Sequence, residues 1–428
     1  MTIFLILGGL VLLLFTGVPT FAGLAVFSGG LMWLTQGDLG AITEVIFNDL
    51  NNYMLVAIPL FAFMAHIMIK GKIVDDLYGT AYTLTRHLPG GVGIATIAAC
   101  TVFAAISGSS VATAMTIGAV AIPQMIRFGY SPKTAYGLVA AGGTLGILIP
   151  PSGPMILYGV VANASIGGLF AAGMIPGILL ALLFAGWCMI ETSFGHSAVQ
   201  REARASMAEI TLALKKSFWA MLLPIMVLGG MYAGVFTATE AAAVGALLAL
   251  IIAAIVYRNV GVKDVWEAAL GGARTSAMLF MIMAGAIVFG HVLTKMRIPQ
   301  ELVALATSVD LGIFGFLAVV MGLIFILGMF LESISIILIT TPVVLPVMHA
   351  MGINPIWYGV LLVINLELAM ITPPVGMNLF TIKAITNAPM KTIISGGVPY
   401  IWLMIAGLIA IMAIPSIALW LPRIMLGV

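Results

Sequence analysis

Long apolar runs separated by short polar stretches set the pattern of this chain from end to end. Runs at about 2–16, 18–35, 53–69, 134–162 and 167–190, and again at 217–234, 241–257, 275–294, 355–386 and 395–420, are read as crossings of a hydrocarbon core roughly 30 Å thick. Each crossing must satisfy its own backbone hydrogen bonds there, which predicts helices rather than a barrel. Two further apolar segments, about 90–127 and 311–348, begin and end on one side in this arrangement. Polar tetrads interrupt them near the middle, SGSS from Ser107 to Ser110 and ESIS from Glu332 to Ser335. Both are predicted to be re-entrant helical hairpins with polar tips.

The punctuating residues repeat. At a constant spacing of 223, Ser110 falls on Ser333, Pro123 on Pro346, Gly129 on Gly352, Pro132 on Pro355, Pro150 and Pro151 on Pro373 and Pro374, and Gly153 on Gly376. Upstream, a spacing of 225 sets Lys70, Lys72 and Ile73 against Lys295, Arg297 and Ile298. The expected organisation is a first repeat over 1–195 (hairpin about 90–127, broken helix about 134–162), a cytoplasmic connecting segment over 196–216, and a second repeat over 217–428 (hairpin about 311–348, broken helix about 355–386). Five crossings per repeat, an odd number, invert the second repeat relative to the first. The predicted fold is an all-α polytopic membrane protein of two inverted-topology repeats, each with five crossing helices and one re-entrant hairpin.

Charge orients the chain. The polar stretch Glu191 to Lys216 carries Arg201, Arg204, Lys215 and Lys216, and a second basic loop spans Arg258 to Arg274, so both are expected inside. The repeat-equivalent turns differ as inversion requires: Arg127 to Lys133 is basic, whereas His349 to Pro355 has no Lys or Arg. Asp38, Glu44 and Asp49 then fall outside, as do Lys295 and Arg297, which go against the rule.

Composition agrees with a membrane solvent. Hydrophobic residues make up 62% of the 428 and charged residues 7%, with a mean hydropathy of +1.21, so a water-facing surface could not be covered with polar groups. Cys100 and Cys188 lie in apolar segments and read as small core hydrophobes. The start, MTIFLILGGLVLLLF, lacks a basic leader and an evident cleavage site and reads as a retained helix.

The proline pairs supply candidate chemistry. A proline within a helix removes its own N–H, so Pro150 and Pro151 leave the carbonyls of Gly146 and Ile147 without partners, and Pro373 and Pro374 do the same to Ala369 and Met370. The breaks also bare the last turn of carbonyls, Ile149 and Thr372 included. Free carbonyls at membrane depth are costly unless something binds them. A hard monovalent cation such as Na+ suits oxygen ligands, and a hydroxyl-rich tip opposite each break would complete the set, giving two Na+ sites. The half-helices starting at Ser109, Ser110 and Ser333 aim their positive dipole ends inward, towards an anionic substrate group. Glu332 and Glu367, carboxylates in apolar surroundings, read as functional. Glu240 of TATE reads as a capping-box residue, and His66 and His291 as interhelical hydrogen-bonding groups.

Other chemistry is weakly supported. Gly71-Lys72 is followed by Ile, so no phosphate-binding loop is present and ATP hydrolysis is not expected. An intramembrane serine protease at Ser107 or Ser109 would need a base, and no histidine has a persuasive register for one.

The segments AAISGSSVATAMTIG, GTLGILIPPSGPMILYG, YAGVFTATEAAA and NLELAMITPPVGMNLF, in that order, resemble the large membrane subunit of tripartite ATP-independent periplasmic (TRAP) transporters, over essentially the whole chain. The resemblance implies an elevator-type, Na+-coupled importer of small organic acids in the bacterial inner membrane, and no enzyme. It also implies a small TRAP membrane subunit, expected here as a separate chain, and a soluble periplasmic substrate-binding protein, with no nucleic-acid partner. Carried over by motif, one Na+ site would use Ser107 with oxygens near Gly146, Ile149 and Pro151. The other would use Gly328 and Glu332 with Ala369, Thr372 and Pro374. Ser109, Ser110, Ser152, Ser333 and Asn378 are candidates for the substrate, a dicarboxylate, sialic acid or another sugar acid. The alternatives are a two-component relative that works without a binding protein, and a passive anion channel.

Overall fold

The computed structural model describes residues 2–71, 73–194, 199, 202–308 and 312–427. Lys72, Arg201 and Leu311, used above for the repeat register, the charge pattern and the second hairpin's start, lie outside the described residues.

Among those residues the chain is helical throughout. The first part contains α1 (Thr2–Phe15), α2 (Thr20–Gln36), α3 (Ala41–Leu50), a 3-10 turn (Tyr53–Val56) leading into α4 (Ala57–Lys70), α5 (Ile73–Thr85), α6 (Gly91–Ser107), α7 (Ser110–Arg127), α8 (Pro132–Leu148), α9 (Gly153–Val161) and α10 (Ile166–Phe194). The second contains α11 (Met207–Tyr232), α12 (Ala238–Ile251), α13 (Val262–Lys295), α14 (Ile298–Ser308), α15 (Gly312–Gly328), α16 (Ser333–Ala350), α17 (Pro355–Met370), α18 (Met377–Thr386), α19 (Met390–Ala413) and α20 (Ser416–Leu426). Seven helices among the described residues are long and apolar enough to cross a membrane, or eight if α8 and α9, bent by 40°, form one broken span. A hairpin-like pair α6/α7 followed by the broken helix α8/α9 recurs as α15/α16 followed by α17/α18.

The duplicated punctuation acts alike in both places. Pro132 and Pro355 each open a helix at the first turn, where a missing N–H costs nothing. Ser131 accepts from the Thr134 amide, and Asn354 accepts from those of Ile356 and Trp357. Gly129 and Gly352 both take positive φ, +90° and +68°.

Several expected boundaries move. The run 395–420 is two helices: Pro415 disfavours helical geometry at Ile414 (φ −125°, ψ 79°), so α19 stops at Ala413 and α20 turns to pack on α10. The polar stretch before 217 is already helical from Met207, where Ser206 and Glu209 form a capping box. Most of the basic Arg258–Arg274 stretch is the start of α13 rather than a loop, opened by the Gly261 amide donating to Asp264 Oδ2 at 3.0 Å. At 34 residues α13 is roughly 51 Å long, well beyond a core of roughly 30 Å, so its charged first turns need not be buried in lipid. The shorter helices α3, α5, α14 and α20 were not foreseen as separate elements.

Both broken helices sit at the centre. Every residue from Thr134 to Leu148 in α8, and from Ile356 to Met370 in α17, is buried. Glycine lets the two parts interlock: a Cβ on Gly137 of α8 would lie 2.0 Å from the Gly396 carbonyl of α19, and one on Gly359 of α17 would lie 2.5 Å from the Tyr158 ring of α9. The capping box at Thr237 and Glu240 is formed as expected, the Glu240 carboxylate accepting from the Thr237 amide at 2.9 Å. Cys100 and Cys188 are free and buried.

Candidate substrate and cation site

The first tip forms because α6 cannot continue through Gly108, whose φ of +58° is left-handed. Ser109 follows in extended geometry and caps α7, its Oγ accepting from the Ala112 amide at 3.3 Å. Thr113 Oγ1 donates to the Ser109 carbonyl at 2.8 Å, which leaves Ser107 Oγ to donate to Thr113 at 2.9 Å. Thr113 thus ties the tip together, a role its place one turn after Ser109 and Ser110 could have signalled.

This tip lies on the first break. A Cβ on Gly108 would sit 2.6 Å from the Pro151 carbonyl oxygen, and one on Gly146 would sit 2.6 Å from the carbonyl carbon and oxygen of Ser109. Ser107, Gly146 and Pro151 are therefore brought together. The Pro150-Pro151 bond is cis, and Ser152 caps α9 by accepting from the Met155 amide at 3.4 Å. Ile149, extended at the end of α8, packs its side chain against Gly177 of α10.

The second tip and break also meet, less symmetrically. A Cβ on Gly328 would lie 2.6 Å from that of Ala369. Glu332 stands at the N-cap of α16 and makes no capping hydrogen bond. The Ala369 carbonyl differs from expectation: the last turn of α17 tightens, and the Thr372 amide donates to it at 3.1 Å. Thr372 Oγ1 donates to the Leu368 carbonyl at 2.6 Å. Pro373-Pro374 is cis, and Pro374 is exposed where Pro150 and Pro151 are buried.

Between the tips lies a cavity of about 430 Å³. The first turns of α7, α9, α16 and α18 reach it, through Ser109–Ala112, Gly153, Ser333 and Met377. Ser107, Pro151 and Glu332 line it too, opposite His66 of α4 and Thr275 of α13. Among the described residues its lining includes no Lys or Arg. Gly146, Ile149, Gly328, Ala369 and Thr372 do not line it, nor does the exposed Pro374. Neither do Ser152 and Asn378, both fully buried; Asn378 Nδ2 donates to the Ala140 carbonyl at 3.2 Å. Ser110 borders the cavity, but its hydroxyl is donated to Glu367 of α17.

His66 and Thr275 are lining residues that the sequence does not mark as part of the site. The pairing of His66 with His291 in the repeat register is the available signal, and the interhelical hydrogen bond expected of His291 is not made by its Nε2. His66 packs its ring on Gly271 of α13, and the buried Nε2 of His291 has no hydrogen-bond partner. His291 instead borders a larger cavity of about 720 Å³, lined by Asp49, Asn163 and Thr294 among others. That cavity contains neither tip, so the smaller one is the candidate site.

The family model described as "Tripartite ATP-independent periplasmic transporter, DctM component" matches residues 7–417. The chain belongs to this family. It is 38% identical over 393 residues to the C4-dicarboxylate TRAP transporter large permease protein DctM of Pseudomonas aeruginosa, covering 92% of each chain. It is 34% identical to the ectoine/5-hydroxyectoine large permease UehC of Ruegeria pomeroyi (98% of each chain), and 32% identical to the sialic acid large permease SiaM of Vibrio cholerae (97% of each). Among solved structures, the YdaH transporter of Alcanivorax borkumensis shares the fold with a TM-score of 0.64 at 13% identity, over 92% of this chain and 90% of that one. The protein is thus a TRAP large permease, a multi-pass membrane transport subunit rather than an enzyme.

Proposed function

We propose that this permease imports a small organic acid anion across the bacterial inner membrane, driven by Na+ and supplied by a soluble periplasmic binding protein, together with a small membrane subunit. The observation that carries the reading is the meeting of helix N-termini at the cavity between the tips. Each N-terminus presents unpaired N–H groups and the positive end of a dipole, worth about 0.3–1 kcal/mol towards an anion at an exposed site and up to about 2 kcal/mol when partly buried. Such a wall favours carboxylate without a fixed cationic side chain. Dicarboxylate, sialic acid and related sugar acids are the proposed substrate class, in keeping with the relatives named for C4-dicarboxylate and sialic acid, whereas another relative is named for ectoine.

The residues present fit Na+. Free lone pairs on the Gly146 and Ile147 carbonyls, the Pro151 carbonyl directed at the first tip, and the Ser107 hydroxyl make an oxygen-only set. The second set is Glu332 and the turn at Gly328, with the Ala369 carbonyl and the Thr372 hydroxyl offering the lone pairs left beside the hydrogen bonds they already make. Bound Na+ would supply positive charge beside the substrate carboxylate. The chain's own part is to hold the tips against the breaks and keep lipid out.

The two parts are read as inverted repeats of an elevator carrier, with α4 and α13 on the fixed side and the hairpins and broken helices moving. With the basic turns inside, the cavity between the tips reaches through His66, Ile69 and Thr275 towards the inner ends of α4 and α13, an inward-facing arrangement. The external segments are short and Asp38, Glu44, Asp49, Lys295 and Arg297 are exposed, which suits a weak, salt-sensitive encounter with a binding protein. Proteoliposomes holding this chain and its small subunit should accumulate labelled acid only with an inward Na+ gradient and the binding protein present. Uptake without the binding protein would instead identify a two-component carrier, and equilibration without accumulation a channel.

A further inference from the structure

Glu367 is fully buried in α17, two residues before Ala369 and far from any Lys or Arg in sequence. Its Oε1 accepts the Ser110 hydroxyl hydrogen bond across 257 residues of chain, and its Oε2 is buried without a partner. Ser110 is the first residue of α7, adjacent to Ser109 at the first tip. One hydrogen bond therefore joins the tip of one repeat to the helix turn that forms the break of the other. A second tie runs the opposite way: Asn378, just past the second break, donates to the Ala140 carbonyl of α8. Both ties converge near Gly143, where a Cβ would lie 3.1 Å from Asn378 Nδ2 and 3.1 Å from the Ser110 carbonyl oxygen.

The repeat makes the first tie informative. At the spacing of 223, the counterpart of Glu367 is Thr144 (367 − 223 = 144), and the counterpart of Ser110 is Ser333. Thr144 does not reach across; its hydroxyl donates to Ala141 of its own helix at 2.6 Å. Only the second repeat carries a carboxylate at this register, with a longer side chain than threonine's. The tie is thus an asymmetric addition to an otherwise duplicated design. A buried carboxylate with one free oxygen costs stability that an apolar residue would not, so packing alone does not explain its presence.

We propose that Glu367 is a positioning residue whose hydrogen bond to Ser110 couples the two cation sites, so that ordering one tip against its break favours order in the other. This rests on the two-site Na+ reading above. With the tie intact, binding at either site biases one shared arrangement, and two sites permit a Hill coefficient up to two. Without it that coupling is lost, and the Asn378–Ala140 hydrogen bond alone still ties one break to the other.

The test uses the complete transporter in proteoliposomes, with small subunit and binding protein, and follows uptake against Na+ concentration. Wild type is expected to show a Hill coefficient approaching two. Ser110→Ala and Glu367→Leu should bring it towards one and raise half-saturating Na+ by roughly fivefold or more, the usual scale of coupling between sites. Glu367→Gln, whose amide oxygen still accepts from Ser110, should keep the cooperativity even if it changes the maximal rate. If Glu367→Leu fails to express, Ser110→Ala, which removes one oxygen, decides the matter. Cooperativity unchanged in Ser110→Ala, lost equally in Glu367→Gln, or absent from wild type despite Na+ activation would each overturn the coupling. Na+-independent uptake by wild type would overturn the two-site reading itself.

Discussion

Gly146→Ala puts the contact between first tip and first break to a direct test. The added Cβ would lie 2.6 Å from the Ser109 carbonyl carbon and oxygen and 2.7 Å from the Ser110 amide nitrogen, all backbone atoms that no rotamer change can move. Reaching ordinary contact at 3.4 Å requires the tip to retreat by about 0.8 Å (3.4 − 2.6). A binding constellation tolerates displacements of only about 0.5 Å. Overpacking of this kind costs about 1–3 kcal/mol, and alanine returns about 0.5–1 kcal/mol by stiffening the unfolded chain and favouring helix, so the variant should fold. If the strain falls on the tip position that presents Ser107 to the Pro151 carbonyl, half-saturating Na+ should rise about 5- to 150-fold. The control is Gly186→Ala on α10, where a Cβ meets nothing within 4 Å. The assay is Na+-dependent uptake in proteoliposomes with binding protein in excess, read alongside thermal stability in detergent. Wild-type Na+ activation in Gly146→Ala would refute the assignment of this tip and break to a cation site.

Accessibility mapping tests inversion: in a background lacking Cys100 and Cys188, Lys133→Cys and Arg204→Cys should label from the cytoplasm, and Val235→Cys and His349→Cys from outside. Labelling of positions 133 and 349 from one side refutes inverted repeats. Asn365→Ala removes the buried donor to the Met321 carbonyl at 2.8 Å, joining α17 to α15, and should cost about 1–3 kcal/mol in thermal or denaturant unfolding. Thr237→Ala removes one side of the α12 capping box and should cost about 0.5–2 kcal/mol while leaving half-saturating Na+ as in wild type; a shift in Na+ dependence would argue against a purely capping role.

Features with local causes were legible along the chain. Pro150-Pro151 and Pro373-Pro374 interrupt their helices because a proline has no N–H to give wherever it is placed, and Gly108 ends α6 because its backbone needs left-handed geometry. The capping box at Thr237 and Glu240 is a four-residue pattern with its own hydrogen bonds. Ile414 and Pro415 carry an equally local stop signal, but the high hydropathy around them masks it, and hydropathy predicts one helix over 395–420. The charged opening of α13 misleads for the converse reason: polar residues suggest a loop where the helix simply runs beyond the thickness of lipid.

Repeated membrane crossing by helices, the two helix breaks and the hydroxyl-rich stretches that punctuate the hairpins can be read directly along the chain. These follow from solvent, hydrogen-bond stoichiometry and backbone sterics acting over a few residues. What the side chains there do depends on how the helices pack. Ser110, Ser152 and Asn378 look alike as candidate substrate ligands, yet one hydroxyl goes to Glu367, one caps α9, and the amide goes to Ala140. His66 and Thr275 became cavity walls because α4 and α13 pack opposite the tips. A buried polar atom takes whatever partner lies within about 3 Å, and which partner that is depends on segments hundreds of residues away.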